Sequence, residues 1–183
     1  MMTEEGRYVA TCDRIAKKGA AKPLAIIKNG CEFDLFNRCR SIGYATPSDL
    51  PKGKRIIGYY GAIHDWFDYD LVGRLAKTHP DINIVLIGNS TCSEITRISD
   101  LSNVYCLGYK DYYQLPTYLT HFDICMIPFK INEFTKSVNP VKMYEYLAAG
   151  KPIVSVDLEE CYNVPGVYTA TDHAAFIDHI DNL

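Results

Sequence analysis

The chain has 183 residues, 48% of them hydrophobic, and a formal net charge of −3. That length suffices for one domain with a real core, and the apolar content excludes intrinsic disorder. The slight negative charge removes the basis for non-specific nucleic-acid binding, which needs Lys and Arg to neutralise phosphates.

Residues 1–8 are polar, without the apolar centre of a signal peptide. No run reaches the roughly 20 apolar residues of a membrane span. Residues 8–11, 14–18 and 24–27 suggest a short strand, a helix and a second strand. Asn29-Gly30 marks a turn. Residues 46–54, polar with two prolines, read as a linker. Residues 1–54 are too few for a core of their own and are expected to be the end of a preceding domain plus its connection.

From residue 55 onward, strand-like and helix-like segments alternate. Strands are expected at 55–60, 82–87, 104–107, 124–128, 152–156 and 167–169. Helices are expected at 66–78, 93–99, 112–120, 140–149 and 173–180, with Asp65 and Asp111 as N-caps of the first and third. The strands are continuous apolar runs, the mark of a parallel sheet covered on both faces. Strand–helix alternation with short connections then implies right-handed βαβ units. Residues 55–183 are therefore expected to form a doubly wound, Rossmann-like α/β domain of about six parallel strands, with its ligand beyond the strands' carboxyl ends.

The seven cysteines, Cys12, Cys31, Cys39, Cys92, Cys106, Cys125 and Cys161, are odd in number and never spaced CxxC. The pattern argues against a disulfide framework or zinc site and fits a reducing cytoplasm. Cys106 and Cys125 lie in apolar runs and read as core residues. The histidines show no metal-ligand spacing. Asp157, Glu159 and Glu160 read as a solvated acidic loop.

Residues 137–156, SVNPVKMYEYLAAGKPIVSV, carry the chemistry. Asn139 can cap a helix, Pro140 suits its first position, Gly150 its left-handed end, and Pro152 stops it. Val141, Tyr144, Leu147 and Ala148 form one apolar face. Such a helix, starting after a buried strand, presents free N–H groups and a dipole that attract an anion such as a diphosphate. Lys142 in its first turn opposes the dipole unless an anion is near. Glu145, one turn on, can accept from two adjacent hydroxyls, as on a ribose. The same spacing also fits an ordinary i,i+3 surface pair.

NPVKMYEYLAAGKPIVS resembles the donor-binding helix of retaining glycosyltransferases with the GT-B fold, in which the residue matching Glu145 holds the donor ribose. IIKNGCEFDLF (residues 26–36) resembles that family's interdomain segment. NVYCLGYKDYYQLPTYLTHFDICMIPF (residues 103–129) resembles the strand–helix–strand before the donor helix, its Gly108-Tyr109 turn lying against the base. GYYGAI (residues 58–63) matches the first strand and loop of the donor domain. The resemblance makes residues 1–54 the remnant of an N-terminal domain and residues 55–183 the donor domain.

It implies a nucleotide-diphospho-sugar substrate, no metal or other cofactor, and a glycan or lipid-linked acceptor, which allows peripheral contact of the full enzyme with the inner face of a membrane. It assigns Lys142 and Glu145 to catalysis. It assigns Gly61, Ala62, Gly108, Tyr109, Ser137, Val138, Asn139, Pro140, Val141 and Glu145 to the donor.

Two features depart from the family. A second glutamate is common eight positions before Glu145, where this chain has Ser137. Arg and Lys often follow the first strand, where this chain has Ala62-Ile63-His64-Asp65-Trp66. Phosphate charge then falls to the helix start, Lys142 and Lys136, although Lys136 also fits a plain loop lysine. His64 is not expected to be catalytic. The chain alone is expected to bind donor at best. A non-catalytic nucleotide-binding or scaffold subunit is the alternative. A dinucleotide-dependent oxidoreductase is a third, for which the turn after the first strand lacks its third glycine.

Overall fold

The computed structural model describes residues 8–18, 25–90 and 92–183. The polar start before Tyr8 and the predicted strand residue Leu24 lie outside them. A parallel two-stranded pair, β1 (Val9–Ala10) and β2 (Ala25–Ile26), flanks α1 (Asp13–Lys18) in sequence and is followed by α2 (Phe33–Asn37). The main sheet comprises β3 (Arg55–Tyr60), β4 (Ile82–Ile87), β5 (Val104–Cys106), β6 (Ile124–Ile127), β7 (Ile153–Val156) and β8 (Val167–Ala170). The accompanying helices are α3 (Tyr69–Thr78), α4 (Thr96–Ser99), α5 (Leu115–Leu119), α6 (Val141–Ala148) and α7 (His173–Asp181).

All six strands pair in parallel, in the order β5-β4-β3-β6-β7-β8. The fold is the expected doubly wound α/β sheet. Strand order reverses between β3 and β6, so the crevice of such a sheet opens beyond their carboxyl ends. β4, β6 and β7 are buried throughout, as their largely apolar runs lead one to expect, with Asn83 and Ser155 the polar residues buried among them. Gly58 lets β3 lie against Phe122, whose ring would collide with any side chain there.

Helix boundaries follow local chemistry. Asp111 caps as expected, accepting from the Tyr113 N–H at 2.9 Å, while Gln114 reaches back to the Asp111 N–H at 3.2 Å. α6 ends as expected too. Gly150 takes φ +72°, its N–H bonds to Leu147 O at 2.9 Å, and the Lys151 N–H bonds to Tyr146 O at 3.0 Å. α3 instead starts later than expected, because Asp68 rather than Asp65 caps it, accepting from the Leu71 N–H at 2.9 Å. The residues before it are tied across the end of β6, the Lys130 N–H donating to Trp66 O at 2.7 Å.

Other expectations fail for reasons of tertiary packing. Cys125 is buried, but Cys106 is exposed because β5 is an edge strand. Asn29-Gly30 makes no turn and is held instead by Asn139. Apart from these, the polar segment at 46–54, expected as a linker, lies along the main sheet's domain. Leu50 is buried there, and Asp49 accepts from Lys110 Nζ at 2.7 Å and Tyr118 OH at 3.0 Å. α2, not anticipated as a helix, packs on α6 and buries Phe36 edge-on to Tyr112.

Candidate functional site

Backbone geometry opens the crevice at the end of β3. Gly61 adopts φ +130° and donates its N–H to Ile87 O at 2.9 Å. Gly88, at the end of β4, adopts φ +148°, and a side chain there would strike the Gly61 carbonyl. A Cβ on Gly61 would sit 3.0 Å from both Cε and Nζ of Lys142. Only glycine keeps this floor low enough for the α6 lysine to lie across it.

α6 begins at this floor without a side-chain cap. Asn139 does not cap it, and Pro140 occupies the N-cap position rather than the first helical turn. Asn139 is buried in a polar knot. Its Oδ1 accepts from the Asn29 N–H at 2.9 Å, and its Nδ2 donates to Glu160 Oε2 at 2.8 Å and Tyr144 OH at 3.1 Å. The Asn29 side chain donates to Asn139 O at 2.7 Å, and Lys28 pairs with Glu160 at 3.1 Å. Glu160 is therefore buried and bonded, not solvated. The α6 entry is clamped from outside, and Val141 and Lys142 of its first turn line the crevice, with no acceptor for their N–H groups among the described residues.

The apolar face of α6 also differs from the expected one. Ala148 is buried as expected, but so are Met143 and Tyr146, whereas Val141 is 43% exposed and faces the crevice. The helix is covered on two sides, by the sheet and by α2, so apolar residues recur on both. Tyr146 anchors it by accepting from the Tyr60 N–H at 3.0 Å.

Lys142 and Glu145 are not a surface pair. Lys142 is partly buried, with Nζ 4.9 Å from the ring centroids of both Tyr59 and Phe129. Among the described residues no carboxylate forms an ion pair with it and nothing accepts a hydrogen bond from it. Burial lowers its pKa from 10.5 to about 8, with Glu145 pulling the other way. Glu145 is only 5% exposed. Burial raises its carboxyl above the ordinary range, while Tyr60, Lys142 and Tyr112 draw it back. The Tyr60 hydroxyl is buried without a hydrogen bond of good geometry.

These groups line one hollow of about 430 Å³. It holds Gly61, Val138, Asn139, Pro140, Val141, Lys142 and Glu145 of the sequence-predicted set. A second hollow of about 340 Å³ shares Tyr60, Gly61, Tyr112 and Leu115 with the first and continues past Ala62 and Gly88 to Tyr109 and Lys110. Gly108 stands behind it, its carbonyl accepting from the Gly88 N–H at 2.8 Å. Ser137 is not brought into the crevice. It lies in a separate hollow beside Thr11 and Asn29, its hydroxyl donating to Glu133 O at 3.2 Å.

Lys136 lies in the same short turn as Ser137, outside the crevice lining. His64 flanks the site, stacked on Trp66 and 3.6 Å from Asp65. Sequence reasoning missed Tyr60, Tyr112, Trp66 and Phe134 as lining residues. Only the strand-end position of Tyr60 could have signalled its place.

The architecture is one half of a GT-B glycosyltransferase fold. The chain belongs to the family described as "Glycosyl transferases group 1", whose model matches residues 54–183. It is 28% identical over 161 residues to TuaH of Bacillus subtilis (strain 168), a protein provisionally assigned as a teichuronic acid biosynthesis glycosyltransferase. The match covers 84% of this chain and 40% of TuaH.

Among solved structures it is similar to TarM of S. aureus in complex with fondaparinux, α-GlcNAc-glycerol and UDP. The TM-score is 0.67 at 12% identity, over 97% of this chain and 36% of TarM. It is also similar to HepE of Anabaena in complex with UDP-glucose, with a TM-score of 0.65 at 16% identity, over 96% of this chain and 53% of HepE. Sucrose-phosphate synthase of Thermosynechococcus elongatus gives 0.61 at 15% identity, over 95% of this chain and 48% of that enzyme. The chain thus spans about half or less of each of these relatives. Family membership leaves the oxidoreductase alternative without support.

Among the described residues no helix is long and apolar enough to cross a membrane, and no group of His, Cys, Asp and Glu is arranged to hold a metal ion.

Proposed function

We propose that this chain is the donor-binding half of a glycosyltransferase that moves a sugar from a nucleotide diphosphate to a glycan or lipid-linked acceptor with retention. Residues 55–183 form the donor domain, and residues 1–54 are the remnant of an N-terminal domain and its connection. The observation that carries this reading is Lys142, a cation with ring faces beside it but no ion-pair or hydrogen-bond partner among the described residues, lying by the uncapped start of α6 and over the bare backbone of Gly61. An unpaired, partly buried charge is costly, and a diphosphate in the hollow would satisfy it and the free amides together.

Transfer requires stabilising a departing diphosphate. Preorganised N–H dipoles and a fixed cation do this without reorganising during the reaction. The proposal gives that work to α6 and Lys142 rather than to a metal ion. Glu145 anchors the nucleoside by accepting from its sugar hydroxyls. The acceptor site belongs to the missing N-terminal domain, so the chain alone binds donor and does not turn over. The full enzyme would work in the cytoplasm, in peripheral contact with the membrane when its acceptor is lipid-linked. UDP bound to TarM and UDP-glucose bound to HepE support the donor class.

Calorimetry with UDP and GDP tests the proposal. Binding that weakens about 10-fold or more in Glu145→Gln fits the loss of a charge-assisted hydrogen bond. No binding of either nucleotide at millimolar concentration would refute the proposal and favour the non-catalytic scaffold.

A further inference from the structure

Past Lys142 the hollow ends on an aromatic wall. The rings of Trp66 and Phe134 line it with centroids 6.2 Å apart. Trp66 is fixed in place. Its carbonyl accepts from the Lys130 N–H at 2.7 Å, and the His64 ring stacks on it with centroids 4.9 Å and planes 24° apart. Phe134 is 66% exposed at the rim.

The polar side chains at this end are already engaged. Thr135 Oγ1 donates to Lys130 O at 2.6 Å and accepts from the Asn132 N–H at 2.9 Å. The Asn139 amide is held by Asn29, Glu160 and Tyr144, and Ser137 bonds away from the hollow. Ring faces, the indole N–H and Lys142 remain for a ligand.

We propose that Trp66 and Phe134 are the platform on which the donor's transferred sugar lies, selecting a hexose by the apolar face of its ring rather than by its hydroxyl pattern. The inference rests on the donor reading. With the diphosphate at α6 and the nucleoside toward Glu145 and Tyr109, the group on the other side of the diphosphate meets this wall. The C–H face of a pyranose packs on the negative face of an aromatic ring. The ring faces make no directed bond to a hydroxyl, and the single indole N–H donor cannot read a hydroxyl pattern, so a 6-deoxyhexose is accepted about as readily as its parent.

Calorimetry on the 183-residue chain tests this with UDP, UDP-glucose, GDP, GDP-mannose and GDP-6-deoxymannose. Trp66→Ala and Phe134→Ala should each weaken the sugar nucleotides about 3- to 10-fold, the range of an aromatic stacking contact. UDP and GDP should stay within about twofold, and Trp66→Phe should retain most of the wild-type affinity, since it keeps the ring face. GDP-6-deoxymannose should bind within about threefold of GDP-mannose. Equal weakening of diphosphate and sugar nucleotide, or no weakening of either, overturns the platform while leaving the donor reading intact. So does a loss of more than about 10-fold on removing the 6-hydroxyl. Failure of the wild-type chain to bind UDP or GDP at all overturns both.

Discussion

Replacing Lys142 with methionine should stabilise the free protein and impair diphosphate binding. The ammonium lies between the Tyr59 and Phe129 rings, and burial brings its pKa from 10.5 to about 8. At about 1.36 kcal/mol per pKa unit, this is a penalty of roughly 3 kcal/mol on the charged form at pH 7. The ring faces return roughly 1–2 kcal/mol of it. Methionine keeps the shape and the ring contacts without the charge, so a net gain of about 1–2 kcal/mol is expected. For a chain of this length that raises Tm by roughly 2–8 °C.

UDP affinity should fall about 10- to 100-fold, the value of a charge-assisted hydrogen bond. The unfolded chain keeps its lysine proton up to about pH 10.5, whereas the folded protein releases it near 8. Wild-type stability therefore gains from this group as pH rises from 8 to 10.5, and the advantage of the variant shrinks over that interval. Thermal melts at pH 7 and pH 10, with calorimetric UDP titrations at pH 7, measure all three effects. A Tm below wild type at pH 7, or unchanged UDP affinity, would refute the reasoning.

Glu145→Gln removes a carboxylate whose pKa is raised by burial, so the variant should melt no lower than wild type at pH 7. Below the ordinary carboxyl range, where wild-type Glu145 is neutral in both states, this stability difference should vanish. Gly61→Ala imposes a side chain at φ +130° and 3.0 Å from Lys142, and should cost about 1–3 kcal/mol in denaturant unfolding as well as nucleotide affinity. Asn139→Ala removes the acceptor of the Asn29 N–H and leaves buried Glu160 with Lys28 alone. It should destabilise by about 1–3 kcal/mol and loosen the α6 entry, read as faster amide exchange at Met143, whose N–H bonds to Pro140 O at 3.0 Å.

The sheet was legible because its signals are local. β3 and β4 occupy the predicted residues, each a largely apolar run ended by glycine. Gly150 and Asp111 were legible for the same reason, since a cap involves residues within one turn. The geometry around α6 was only half legible. Lys142 and Glu145 stand out by type and spacing, but their burial depends on Tyr59, Phe129, Tyr60 and Tyr112 arriving from other elements. Asn139 has the sequence of a cap, yet it is claimed by Asn29, 110 positions earlier, and Glu160, 21 positions later. Ser137 stands where the family often carries a second glutamate, but it is turned aside in the short helical turn at Thr135–Ser137. The apolar face of α6 was misread except at Ala148, because a helix packed on two sides does not carry a single stripe.

The most direct test of the central claim is the titration of Lys142 itself, followed by NMR of its side-chain Cε with and without saturating UDP. A diphosphate at the start of α6 should move the transition from about 8 in the free protein to above 10 in the complex. A transition that stays near 8 while UDP is bound would place the phosphates elsewhere and contradict the account.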